Sequence, residues 1–164
     1  MDNGNILHAS HDNIHVLRFT GDIRYTLSPS IDHFLEEIFA RSKPAGFVID
    51  LTETDSIDST NLGLLARLAK RMNTIDTRRI TVVSNRAGIN SVLNSMALDE
   101  VFDIVESADL ETAAAQAMPR ENTDRETLTR TLIDAHRTLM DLNEHNREMF
   151  QDVVTYLEKN GSGG

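Results

Sequence analysis

Phe47-Val48-Ile49-Asp50-Leu51-Thr52-Glu53-Thr54-Asp55-Ser56-Ile57-Asp58-Ser59-Thr60-Asn61-Leu62-Gly63 carries the decisive pattern of this chain. It opens on a short apolar run, Phe47 to Leu51, of the kind that forms a strand buried on both faces. Polar and acidic residues follow. It then enters a stretch in which Leu62, Leu65, Leu68, Ala69 and Met72 recur at helical spacing. The reading is strand, loop, helix, with Ser59 or Thr60 at the helix start. A hydroxyl there caps unpaired backbone N–H groups, a contact worth ~1 kcal/mol. A phosphate on Ser59 would meet those same N–H groups and the positive end of the helix dipole. It would add about −1.5 to −2 charges beside Asp55 and Asp58. Cap and phosphoacceptor are compatible roles for one serine.

The pattern alternates on both sides of this segment. Upstream, Ile6 to Ala9 reads as a first strand. His15 to Thr20, with Val16 and Phe19, reads as a second that ends at Gly21-Asp22. Ser28-Pro29-Ser30 opens a helix, a hydroxyl cap followed by an early proline. Its apolar face is Ile31, Phe34, Leu35 and Ile38. Downstream, Ile80 to Val83 is a buried strand ended by Ser84-Asn85. Ile89, Val92, Leu93 and Met96 mark another helix, and Phe102 to Val105 a last strand. Asp109 is placed to cap a small helix with Leu110, Ala113, Ala114 and Ala117. Strands alternating with helices predict an α/β fold: a mixed β-sheet with parallel pairs, right-handed crossovers and helices packed against it.

Met118-Pro119-Arg120 marks a boundary, giving an α/β domain over 1–118 and a helical C-terminal extension over 119–160. In the extension, Leu128, Leu132, Ala135, Leu139, Leu142, Asn146, Met149, Val153 and Tyr156 alternate by four and three, as in a heptad seam with a polar core position at Asn146. Ile133, Met140, Phe150, Val154 and Leu157 widen the arc, so the extension is expected to pack on the domain. Self-association through it is also allowed. Asn143-Glu144-His145-Asn146 leaves two forms open, one long helix or a helical hairpin. Gly161-Ser162-Gly163-Gly164, spanning 161–164, resembles a flexible tail or an expression remnant.

Composition narrows the function. The formal net charge is −10, which repels a phosphate backbone and disfavours nucleic acid as a partner. There is no cysteine, which removes disulfides, thiolate nucleophiles and zinc–thiolate sites. No apolar run approaches the ~20 residues of a membrane span, and the N-terminus lacks the pattern of a signal peptide, so no membrane association and a cytoplasmic location are expected.

Candidate chemistry is sparse. Asp50, Asp55 and Asp58 invite a metal reading, but no phosphate cradle or general acid accompanies them, and a solvated loop explains them. His8, His11 and His15 lie in strand and turn, where they share no helical face. His136 flanks the apolar seam, as an ordinary snorkelling or capping histidine does. No glycine-rich nucleotide fingerprint and no G-x-S-x-G elbow occurs. No catalytic residue, cofactor or metal is expected, and the protein reads as a non-enzyme.

Val48-Ile49-Asp50-Leu51 with Ile57-Asp58-Ser59-Thr60-Asn61-Leu62-Gly63 resembles the signature of STAS domains. It is similar in particular to bacterial anti-sigma factor antagonists, in which Asp-Ser-[Ser/Thr]-Gly-[Leu/Ile]-Gly follows the third strand. Phe19-Thr20-Gly21-Asp22-Ile23 fits as well. The resemblance covers about two thirds of the chain. It implies a partner-switching module: the unmodified serine lets the domain bind an anti-sigma factor, a serine kinase ends the binding, and a PP2C-type phosphatase restores it. By residue match Ser59 is the phosphoacceptor. Asp58, Thr60 and Asn61 flank it, and Gly21, Asp22, Ser84 and Asn85 correspond to the neighbouring partner-binding loops. Two departures stand out. Asn61 occupies the place of the family's glycine, where it is expected to add a hydrogen-bonding group to the partner surface. The extension after Pro119 exceeds the simplest members. A STAS-like scaffold for another regulatory protein or a nucleotide is the alternative.

Overall fold

The computed structural model describes residues 4–76, 78–110 and 115–161. Strands β1 (Asn5–His11) and β2 (Ile14–Ile23) form an antiparallel hairpin, followed by α1 (Ser28–Arg41), β3 (Gly46–Ile57), α2 (Ser59–Asn73), β4 (Thr81–Val83), α3 (Ala87–Ser95), β5 (Asp103–Val105) and β6 (Gln116–Ala117). Two long helices, α4 (Arg125–Met140) and α5 (Glu144–Gly161), complete the chain. The sheet order is β5-β4-β3-β2-β1-β6. β2, β3, β4 and β5 pair in parallel, while β1 is antiparallel to β2 and β6. This is the expected mixed sheet of an α/β fold with helices packed against it.

Local chemistry explains the hairpin. Asp12 and Asn13 both take positive φ, 50° and 62°, in a two-residue turn between His11 and Ile14. A primed turn needs that conformation at both central positions, and Asp and Asn tolerate it better than bulkier residues. Apolar side chains from the strands and helices, among them Phe19, Ile49, Leu51, Leu62, Leu65 and Phe102, form one buried core.

Four boundaries differ from the sequence reading. β2 does not stop at Gly21-Asp22 but continues to Ile23. β3 does not stop at Leu51 but continues to Ile57, so the presumed loop is mostly strand. The register with β2 slips twice, between Arg18 and Thr20 and again between Gly21 and Asp22, with an extra β3 residue each time. Gly21, with φ 77°, sits at the second slip, where a residue without Cβ accepts the left-handed backbone. Polar Thr54 remains in the strand because its hydroxyl donates to the Phe19 carbonyl at 2.8 Å. Third, the small helix expected around Asp109 has its centre outside the described residues, and Ala117 belongs to β6. Finally, Gly161 is the last residue of α5, not part of a tail, and a Cβ there would stand 2.4 Å from Thr129 Cγ2. Residues 162–164 lie outside the described residues.

The extension is a hairpin. α4 ends at Met140, and Asn143 caps α5 by accepting from the Asn146 N–H at 2.7 Å. The seam divides at that turn. Ala135 and Leu139 are buried on α4, but on α5 the buried face is Asn146, Phe150 and Val154. Met149, Val153 and Tyr156, expected in the seam, are exposed. The chain reversal explains this: the turn resets the helical phase, so one heptad register cannot run through both helices. Asn146 is fully buried, and its Nδ2 donates to the carbonyls of Met96 at 2.9 Å and Leu139 at 3.0 Å. It thereby ties the hairpin to the α/β unit.

Candidate functional site

A single residue, Asp58, separates β3 from α2, so Ser59 sits past the C-terminal end of a central strand on the first turn of a helix. The N-cap is Asp58. Its carboxylate accepts from the Asn61 N–H at 3.1 Å, the pattern that satisfies a first-turn donor. Ser59 is therefore not the cap. Its Oγ is 2.8 Å from Nε2 of His136, on α4. The His136 Nδ1 is 2.7 Å from the Leu132 carbonyl, which can only accept. The Nδ1 thus carries the proton, and in the neutral ring Nε2 accepts from the Ser59 hydroxyl. His136 is buried and meets the Phe150 ring edge-on, with centroids 5.2 Å apart. It is not a snorkelling residue.

Gly63 lies one turn further along the same face of α2. A Cβ at Gly63 would fall 2.3 Å from the Ala135 carbonyl oxygen and 2.8 Å from the Ala135 Cβ. The two helices touch backbone to backbone there, which only glycine permits. Ser59 and Gly63 thus meet consecutive α4 residues, His136 and Ala135. α2 is buried nearly all round at its start: Thr60, Asn61, Leu62, Leu64, Leu65 and Ala66 are all inaccessible. A helix with a single sheet-facing stripe would leave part of that turn in water; here the hairpin covers its other side.

The remaining predicted residues fall into two groups. Asp58 and Ser59 are partly exposed at the helix start, and Asn85 is exposed beyond β4. Gly21 and Asp22 lie on the last part of β2, where Asp22 Oδ1 accepts from the Ser56 hydroxyl at 2.8 Å. Thr60, Asn61 and Ser84, in contrast, are buried. Asn61 does not add a polar group to the surface. Its Nδ2 donates to Asp58 at 2.9 Å and its Oδ1 accepts from the Ser28 hydroxyl at 3.2 Å. That second bond also explains why Ser28 does not cap α1, whose N-cap is Leu27 with no side-chain bond.

The three aspartates do not cluster as a metal site. Asp50 is buried, not solvated, and Arg18 Nε donates to it at 2.8 Å. Burial alone would raise its pKa, but the Thr52 N–H and hydroxyl and the Arg18 guanidinium outweigh that and hold the carboxyl below its ordinary value. Asp55 pairs with Arg86, whose Nη1 also donates to the Thr54 carbonyl at 3.0 Å. No group of three or more potential ligands could hold a metal among the described residues. His8 and His15 stack, with Nε2 of the first 2.8 Å from Nδ1 of the second. His11 stands apart, exposed at the hairpin end beside Asp12.

Sequence reasoning set His136 aside as a snorkelling or capping residue and missed Arg18 and Arg86. The two arginines had no local signal, because each partner lies on another element. His136 had one: it directly follows Ala135, a small seam residue of the kind that allows close helix approach.

The family model for the STAS domain matches residues 5–111, more than half of the chain. The chain belongs to the STAS family. Its fold is similar to that of an anti-sigma factor antagonist from Mycobacterium paratuberculosis, known from a crystal structure, with a TM-score of 0.57 and 22% identity. That similarity covers 65% of this chain and 89% of the other. No curated protein sequence matches. The STAS match contains Ser59 and ends before α4, so His136 lies outside it. No helix among the described residues is long and apolar enough to cross a membrane.

Proposed function

We propose that this STAS protein is a cytoplasmic, phosphorylation-switched antagonist of an anti-sigma factor, acting by binding rather than catalysis. The observation that carries the reading is the position of Ser59, partly exposed on the first turn of α2 with Asp58 already in place as the cap. The helix start does not depend on the Ser59 hydroxyl, so the serine is available for modification at little cost to the STAS fold. A serine kinase adds the phosphate and a PP2C-type phosphatase removes it. Asp58 and Asn85 border the surface, with Gly21 and Asp22 on the adjoining end of β2. Thr60, Asn61 and Ser84 shape it from beneath.

The test is binding of the anti-sigma factor recovered with the protein from its native cells, with intact-mass measurement of phosphate on Ser59. Ser59→Asp is expected to weaken that binding by about 100-fold, the loss typical when an unpaired charge enters an interface. Ser59→Ala should retain it. Equal affinity for Ser59→Asp and the parent would end the proposal.

A further inference from the structure

We propose that the α4–α5 hairpin is a built-in occupant of the Ser59 surface, and that negative charge on Ser59 releases it. The inference rests on the reading of Ser59 as the switched residue, and adds a competitor carried in the same chain.

Three features place the hairpin on that surface. Ser59 bonds His136 at 2.8 Å. Gly63, on the same face of α2, abuts the Ala135 backbone with no room for a methyl group. The start of α2 is buried on its outward side as well as its sheet side. A partner that covers the α2 face shared by Ser59 and Gly63 must therefore displace α4 first. The hairpin is tethered, so it competes at the high effective concentration of an intramolecular ligand. The partner's apparent affinity is lowered by the fraction of chains in which the hairpin is off.

The chemistry of the contact makes it sensitive to charge. With Nδ1–H committed to the Leu132 carbonyl, Nε2 of His136 offers Ser59 an acceptor. The hydroxyl supplies the proton of that bond. A phosphoryl group, or the carboxylate of Ser59→Asp, removes the donor and sets an anion against an acceptor, with the Asp58 carboxylate beside it. Backbone contact at Gly63, one turn away, also holds α4 close beside the added group. Within the STAS unit the same anion faces the N-terminus of α2, where it is tolerated. The cost therefore falls on the hairpin.

Amide hydrogen exchange on the full chain tests this without any partner, so it can fail while the anti-sigma reading stands, and the reverse. Parent, Ser59→Ala, Ser59→Asp and Ala135→Arg are compared. Ser59→Asp should speed exchange in α4 and α5 by about tenfold or more, with β2 and β3 unchanged. Ser59→Ala should stay within about threefold of the parent, since only one hydrogen bond is lost. Ala135→Arg should free the hairpin with no change at Ser59, because the side chain cannot fit against Gly63. Parent-like protection of α4 in Ser59→Asp, or increased protection through pairing with His136, would overturn the proposal. So would parent-like exchange of α4 in Ala135→Arg. Equal deprotection of the sheet and the hairpin in either variant would show one inseparable core, and would overturn it too.

Discussion

Asp50–Arg18 and Ser59–His136 are two polar pairs on the same strand–helix segment, and they do opposite things. The first joins neighbouring strands inside the STAS unit. It is charged, and Thr52 adds two further hydrogen bonds to the carboxylate. The second joins the STAS unit to the hairpin. It rests on a single hydrogen bond, between Ser59 and His136. A multiply bonded buried charge resists perturbation, and removing it leaves its partner stranded. A lone hydrogen bond across an interface is worth about 1 kcal/mol, which a modification can reverse. The unit is thus locked where it must hold its shape and weakly latched where it meets its cover.

Breaking the lock should have the largest effect. Asp50→Ala leaves Arg18, itself about a quarter exposed, without its carboxylate, and is expected to cost about 3 kcal/mol in chemical denaturation. An unchanged midpoint would mean that the pair adds nothing to the sheet. Gly63→Ala attacks the latch through sterics, because its Cβ would sit on the Ala135 carbonyl. Stability should fall by about 1–3 kcal/mol despite alanine's better helix propensity, with exchange rising in α4. A stabilised variant would show that the helices separate freely.

The latch's hydrogen bond should show smaller, coupled effects. Ser59→Ala and His136→Ala should each lower stability, the latter more because it also removes packing against Phe150. In a double-mutant cycle the interaction should be about 1 kcal/mol. Strict additivity would mean that the 2.8 Å contact carries no energy.

A third pair, His8–His15, is intact at neutral pH and sharpens the contrast in acid. Burial and the neighbouring His8 push the His15 pKa down from 6.5 to about 4. The unfolded chain takes up the proton below 6.5, whereas the folded chain refuses it until about 4. Its contribution is complete above pH 6.5 and is lost as pH falls from 6.5 through about 4. Thermal melts over that range should show the loss in the parent and a smaller one in His15→Phe.

Much of the fold was legible because its signals are local. The alternation of short apolar runs with period-3.6 stripes places α1, β3, α2, β4, α3 and β5, and Asp12-Asn13 has the chemistry of its turn. The extent of β3 was not legible. Thr52 to Ser56 is polar, and it becomes strand only because β2 supplies backbone partners and the Phe19 carbonyl receives Thr54. Ser59 was found through its place before a helical stripe, and Asn61 was misjudged for a related reason. Its spacing shows that it follows Ser59, but its inward direction depends on Ser28, 33 residues away in sequence.

The sequence by itself determined an α/β unit, with a serine at the start of its second helix and an amphipathic extension behind it. Those properties follow from neighbours along the chain, where periodicity and capping operate. Only the tertiary structure decided that the extension turns at Asn143 and lies over Ser59 and Gly63. An apolar stripe states that a helix face must be covered but not by what. His136 and Ser59 are 77 residues apart, and their contact exists because a glycine on α2 and an alanine on α4 let two backbones touch.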